Sequence, residues 1–389
     1  MSVTAPLGFR AAGVAAGLKP SGQPDVAVVL NDGPSRATAA VFTANRVQAA
    51  PVTWTRQVVT GGRVRAVVLN SGGANACTGP AGFQDTHATA EHLASAIGAL
   101  FAEEVGAGEI AVCSTGLIGE RLPMDKLLPG VGLAVAEASR AGGLAAADAI
   151  RSTDTVVKIA FRRVDGYSIG GMAKGAGMLA PGLATMLCVL TTDADLEPSQ
   201  LDAALRTATA TTFDRLDTDG CMSTNDTVLL MASGAAGVAP DKTEFTLALT
   251  EVCADLARQL QLDAEGANKM ITIEVVGAAS EADAVTAGRA VARNNLLKCA
   301  IGGEDPNWGR VISAVGTTDA VFEPDRLNVA INGIWVCRHG APGDERSKVD
   351  LRPKDVTITV DLSAGPHSAV VLTTDLTAAY VHENSAYST

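Results

Sequence analysis

The chain has 389 residues, room for about two domains at ~100–200 residues each, and its 47% hydrophobic content supplies a sizeable core. Thirty Lys and Arg against 42 Asp and Glu leave a net charge of −12, a surface that repels phosphate backbones and anionic lipid, so nucleic acid is not expected as a partner. No apolar run reaches the ~18 residues of a membrane helix, and the opening "MSVTAPLGFRAAGVAAGLKPSG" has no basic-then-apolar leader, so a cytoplasmic location and no membrane partner are expected.

In chain order, short β-rich runs alternate with helical stretches. Strands are predicted at "VAVVL", "AAVFTA", "RAVVLN", "EIAVCST", "VVKIAFRRV", "TMLCVLTT", "TVLLMASG", "MITIEVVG", "RLNVAI", "VTITVDL" and "AVVLTTDL". Helices are predicted over 86–105, 131–151, 198–213, 242–262 and 281–298. Within 242–262, Phe245, Leu249, Val252, Leu256 and Leu260 recur at helical spacing and form one apolar face for packing on a sheet. The stretch "TITVDLSAGPHSAVVLTTDL" reads as a hairpin. Strands bounded by turns without an intervening helix predict an α/β (α+β) chain with mixed or antiparallel sheets, not a Rossmann fold. The 165–185 region is the expected division between halves. Seven scattered Cys flanked mostly by apolar residues predict reduced core thiols, and the absence of CxxC or paired His predicts no metal site.

The stretch with the most chemistry in it is "IGGMAKGAGMLAPGLATMLCVLTTDA", residues 169–194. It is not a P-loop, because Lys174 precedes its glycines, and GxGxxG fails at Ala180. Its glycines fit a permissive surface turn. A Thr placed after a Gly/Pro loop and before a buried strand also fits an acyl shift, in which the Thr185 hydroxyl attacks the Ala184 carbonyl and cleavage frees a Thr amine. That amine, titrating near ~7.7–8.0, could then serve as base for its own hydroxyl. A Thr that satisfies local hydrogen bonds at a strand start has the same spacing.

The segment around Thr185 resembles the self-processing segment of the ornithine acetyltransferase (glutamate N-acetyltransferase) family of the cyclic arginine pathway. "NSGGANACTG" (70–79), "CSTGLIGERLPMDK" (113–126), "TFDRLDTDGCMSTNDT" (212–227), "DAEGANK" (263–269), "DPNWGR" (305–310) and "HENSAYST" (382–389) resemble that family's blocks in the same order. The resemblance implies a layered α/β sandwich of the DmpA-like, N-terminal-nucleophile type. It implies a cut between Ala184 and Thr185 into chains 1–184 and 185–389, paired as an α2β2 heterotetramer. Thr185 is then the nucleophile, Thr115 and Gly116 the oxyanion stabilisers, and Ser152, Lys174, Thr185, Glu265, Asn384 and Thr389 the substrate-binding residues. At Ser152 the family more often has Thr, and Thr153 beside it is the fallback donor. N-acetylornithine and glutamate are the implied substrates, with no bound cofactor and acetyl-CoA as a further co-substrate of some members. The alternatives are an amidohydrolase or aminopeptidase of the same fold, a paralogue of specialised metabolism, and a non-catalytic anion binder. "DPNWGR" and "NSGGANACTG" carry no assignable chemistry: Gly72, Gly73 and Asn75 fit a turn with N–H groups lining the pocket, and Asn307 or Arg310 fits a carboxylate contact or a structural turn.

Overall fold

The computed structural model describes residues 2–180 and 186–386. Among them fifteen strands form three sheets. The first runs β1 (Phe9–Val14), β2 (Val26–Asn31), β4 (Ala66–Ser71), β5 (Ile110–Thr115). The second runs β3 (Thr38–Phe42), β9 (Thr227–Ala232), β8 (Leu187–Thr192), β7 (Tyr167–Lys174), β6 (Lys158–Val164). The third runs β13 (Ala341–Pro342), β12 (Ile334–Arg338), β11 (Asn328–Ile331), β14 (Asp355–Asp361), β10 (Met270–Ala278), β15 (His367–Thr374).

The first two sheets lie face to face. Val29, Leu69 and Cys113 from one meet Met172, Val189 and Leu229 from the other in a shared apolar layer. The outer face of the first sheet buries Val28, Val68 and Val112 against helices Gly79–Phe101 and Met124–Glu137. The outer face of the second is covered by Pro198–Thr211 and Lys242–Leu262. The result is a four-layer α/β/β/α sandwich, with parallel pairs β4–β5 and β8–β9 among antiparallel ones, as the mixed-sheet reading requires. The third sheet carries its own core with helices Glu281–Ala292, Asn295–Gly302 and Trp308–Val315.

The 242–262 helix has the predicted bounds because its ends are specified locally. Asp241 caps it by accepting the N–H groups of Thr243 and Glu244, and the five apolar residues of its stripe are all buried. Its last turn also joins the two cores, since Gln261 Nε2 donates to the carbonyls of Ile271 and Thr373.

Three expectations change. The 165–185 region is not where the cores divide: Tyr167–Lys174 is a buried strand, and the division lies at about 265–270. Gly170 in that strand permits close packing, because a Cβ there would sit 2.2 Å from the Ser2 carbonyl oxygen. The "TITVDL…VVLTTDL" segments are not a hairpin. β10 lies between them, parallel to β14 and antiparallel to β15, and the connection wraps the end of β10 through N–H groups of Ala364 and Gly365 on the Gly277 carbonyl. Of the seven Cys, 113, 188, 253 and 337 are buried, whereas Cys77, Cys221 and Cys299 are exposed. No helix among the described residues is long and apolar enough to cross a membrane.

Candidate active site

β5 ends at Thr115 in the first sheet and β7 at Lys174 in the second, and their side chains meet where the two sheets converge. Lys174 Nζ donates to Thr115 Oγ1 at 3.0 Å. An ammonium can only donate, so the hydroxyl oxygen is its acceptor and the hydroxyl proton is directed elsewhere, polarised by the charge behind it. Thr115 itself is held firmly. It pairs with Ser71 across β4–β5, and its carbonyl accepts the N–H groups of Gly72 and Gly73, each at 3.0 Å. Those two N–H groups therefore brace the strand end and do not line the pocket as expected. Gly116 follows at φ +128°, and a Cβ there would lie 2.5 Å from Gly73 N, so both conformation and space demand glycine.

Lys174 is 1% exposed. Burial pulls its pKa below the ordinary lysine value, and the nearby Asp154 carboxylate offsets this only in part. Burial acts on Asp154 in the opposite sense, but Lys174, Lys158 and the Gly175 N–H outweigh it and hold the carboxyl below its usual value. Lys158 Nζ lies 2.6 Å from both Asp154 and Asp263. Asp154 also accepts the Ser152 N–H at 3.0 Å, so one buried carboxylate orients the 152–154 turn, the Lys174 charge and the Gly175 backbone.

Glu265 enters from the turn after the 242–262 helix, where its N–H donates to the Ala176 carbonyl at 3.0 Å. Asn384, on the last helix (Ala378–Ala386), donates from Nδ2 to Glu265 Oε2 at 2.9 Å. That helix docks on the 264–267 turn: Thr377 Oγ1 donates to the Gly266 carbonyl, and a Cβ on Gly266 would meet Tyr380 N at 2.2 Å.

Thr115, Gly116, Ser152, Lys174, Glu265 and Asn384 line one cavity, with Thr153 beside Ser152. Ala184, Thr185 and Thr389 lie outside the described residues. Asp154 and the 223–225 turn carry no assigned role in the sequence reading. Ser223, Thr224 and Asn225 line the same cavity, and Asn225 Nδ2 ties the Ala74 and Ser114 carbonyls together at 2.6 and 2.8 Å. The signal for them is the polar run "STND" set directly before the apolar β9. "DPNWGR" is a structural turn in the second core, where Asn307 Nδ2 donates to Asp305 and Arg310 to the Leu296 carbonyl. A larger cavity, about 670 Å³, lies along the edge strand β3 and gathers none of these groups.

The family model described as ArgJ matches residues 10–389. The chain belongs to the ArgJ family. An ArgJ relative from Thermobifida fusca, named arginine biosynthesis bifunctional protein ArgJ, is 74% identical over 389 residues, spanning the whole of both chains. One of the same name from Mycobacterium tuberculosis is 59% identical over 389 residues, 99% of this chain and 96% of that one. Among solved structures, the ornithine acetyltransferase of Mycobacterium tuberculosis complexed with ornithine aligns at 61% identity over 48% of this chain and 96% of that chain, with a TM-score of 0.46. The resemblance drawn from the motif blocks thus holds across the chain.

Proposed function

We propose that this ArgJ-family chain is a self-cleaving acetyltransferase that moves the acetyl group from N2-acetyl-L-ornithine to L-glutamate through an ester on Thr185. The observation that carries the reading is the convergence of Thr115, Gly116, Ser152, Lys174, Glu265 and Asn384, from five separate stretches of the chain, on one cavity. Maturation begins when the Thr185 hydroxyl attacks the Ala184 carbonyl, and hydrolysis of the resulting ester leaves Thr185 with a free amine. In turnover that amine takes the hydroxyl proton as Oγ attacks the acetyl carbon. Thr115 and the Gly116 N–H stabilise the oxyanion, and ornithine leaves with the proton on its amino group. The amino group of glutamate then attacks the ester, loses its proton to the Thr185 amine and departs as N-acetylglutamate.

Lys174, held close to Thr115 and shielded from water, supplies positive potential where the oxyanion develops. Glu265 offers a carboxylate for the substrate ammonium and Ser152 a hydroxyl for its polar backbone. Acetyl-CoA as a second donor, work in the cytoplasm, and assembly of the 1–184 and 185–389 chains as α2β2 belong to the same proposal. Mixing the purified enzyme with N-acetylornithine alone should add one acetyl mass to the chain beginning "TMLCVL", and glutamate should remove it. Initial-rate lines for the two substrates should be parallel. Intersecting lines, or no acetyl on that chain, would refute the covalent route.

A further inference from the structure

Leu179 and Met186 bracket the residues that hold the proposed cut, and a single stretch, Asp217–Thr227, grips both. On the upstream side the Leu179 carbonyl accepts the Thr218 N–H at 2.6 Å, and the Leu179 N–H donates to Asp219 Oδ2 at 3.3 Å. On the downstream side the Met186 N–H donates to Asp226 Oδ1 at 3.0 Å, and the Met186 carbonyl accepts the Thr227 N–H at 3.1 Å. The gripping stretch is itself anchored to the second core. Lys298 Nζ donates to the Thr218 carbonyl and to Thr373 Oγ1, and Arg293 Nε pairs with Asp217 at 2.7 Å.

Asp226 is fully buried, and its second oxygen has no hydrogen-bond partner among the described residues. An unpartnered buried carboxyl oxygen is costly, about 1–3 kcal/mol in ordinary mutational terms, and such groups concentrate where function requires them. Burial pushes this carboxyl well above the ordinary range. The Met186 N–H and the Lys174 charge, which act in the opposite sense, do not restore it. The oxygen that accepts the Met186 N–H ties the carboxyl to the backbone directly after the proposed cut.

We propose that Asp217–Thr227 is a two-ended clamp, with Asp219 and Asp226 as its positioning residues for the bond before Thr185. The inference rests on the self-cleaving reading above and adds an asymmetry to it. Before the cut both ends must be held for the hydroxyl to reach the carbonyl. After the cut the Leu179 end belongs to the other chain, and only the downstream end, Asp226 with the Thr227 N–H, still holds the backbone next to the residue that carries the acetyl group. Misplacement by about 1 Å costs up to about a hundredfold in such geometries.

The test follows cutting by denaturing electrophoresis, and kcat and KM per acetylatable site, in the full-length enzyme. Asp219→Ala should cut about tenfold or more slowly yet give, once cut, wild-type kcat and KM. Asp226→Ala should slow cutting and also lower kcat about tenfold with KM within about twofold. Asp226→Asn should restore both to within about threefold, because its amide oxygen accepts the same Met186 N–H. A merely structural role predicts that the two Ala variants behave alike once cut, and that outcome overturns the clamp. Wild-type cutting rates in Asp219→Ala also overturn it. Should Asp226→Ala lack a cooperative thermal transition, Asp226→Asn and Asp219→Ala decide: restored cutting in the first with slowed cutting in the second supports the clamp, and the reverse overturns it. A wild-type chain that never yields a fragment beginning at Thr185 sinks the acetyltransferase reading beneath it, whereas a wild type that cuts beside unaffected variants sinks the clamp alone.

Discussion

Thr115→Val removes one hydroxyl while keeping the side-chain shape and the β-branched fit to the end of β5. Two separate losses follow. In its proposed role, Thr115 would no longer donate to the oxyanion, which in comparable sites lowers kcat by about 10²–10³, or about 2.7–4 kcal/mol. Lys174, 1% exposed and bonded to Thr115 at 3.0 Å, loses its hydroxyl acceptor, and an ammonium left short of a partner costs about 1–3 kcal/mol of stability. The nearby Asp154 carboxylate keeps that second loss toward the lower figure. Acetyl transfer from N-acetylornithine to glutamate and conversion of precursor to two chains should slow together, because both pass through a tetrahedral oxyanion. Thr115→Ser, which restores the acceptor and the donor, should recover most of both rates. A Val variant with wild-type rates of cutting and transfer would remove Thr115 from the site and leave its bond to Lys174 a packing detail.

Gly116→Ala puts a methyl 2.5 Å from Gly73 N at φ +128°, so it should destabilise by at least about 1–3 kcal/mol and cut activity even though the backbone N–H survives; a melting curve and an activity assay on one sample check both. Asp154 has its carboxyl held below its usual value, so its contribution to stability is complete above about pH 4 and is lost as pH falls through the folded value. Asp154→Asn should accordingly lower Tm at pH 7 and give a shallower fall of Tm between about pH 5 and pH 3 than the wild type shows. Asn384→Ala loses an exposed bond to Glu265 and should raise KM for both substrates by less than about tenfold while leaving self-cleavage at its wild-type rate, measured by steady-state kinetics and electrophoresis.

The helix at 242–262 and the long apolar strands were readable because stripe, cap and breakers agree there. β7 was not, because glycines in a strand signal a loop unless a backbone is pressed against them, and the partner for Gly170 is Ser2, far away in sequence. The helix Ala50–Val59 hid behind β-branched residues, and β10 entered between β14 and β15 from nearly ninety residues earlier. The site was legible only through the family blocks. Nothing in the residue types at Thr115, Ser152, Glu265 and Asn384 announces that packing will bring them together. Asp154 and Asp226 read as ordinary loop acids, and only burial shows that each organises a backbone segment.

In the order β3–β9–β8–β7–β6, the proposed cut would leave β8 and β9 on one chain, inserted between strands β3 and β7 of the other, with Lys174 paired to Leu187 across the join. After the proposed cut, neither piece alone holds the complete central sheet. Before the proposed cut the sheet is built within one chain, whose folding is unimolecular. After the proposed cut, re-forming the sheet would need an encounter of two fragments that expose strand edges to each other and to any other strand. Under the proposed cut, a sheet folded as one chain would thus be shared between two, and the working lifetime of the enzyme would be set by its unfolding rate.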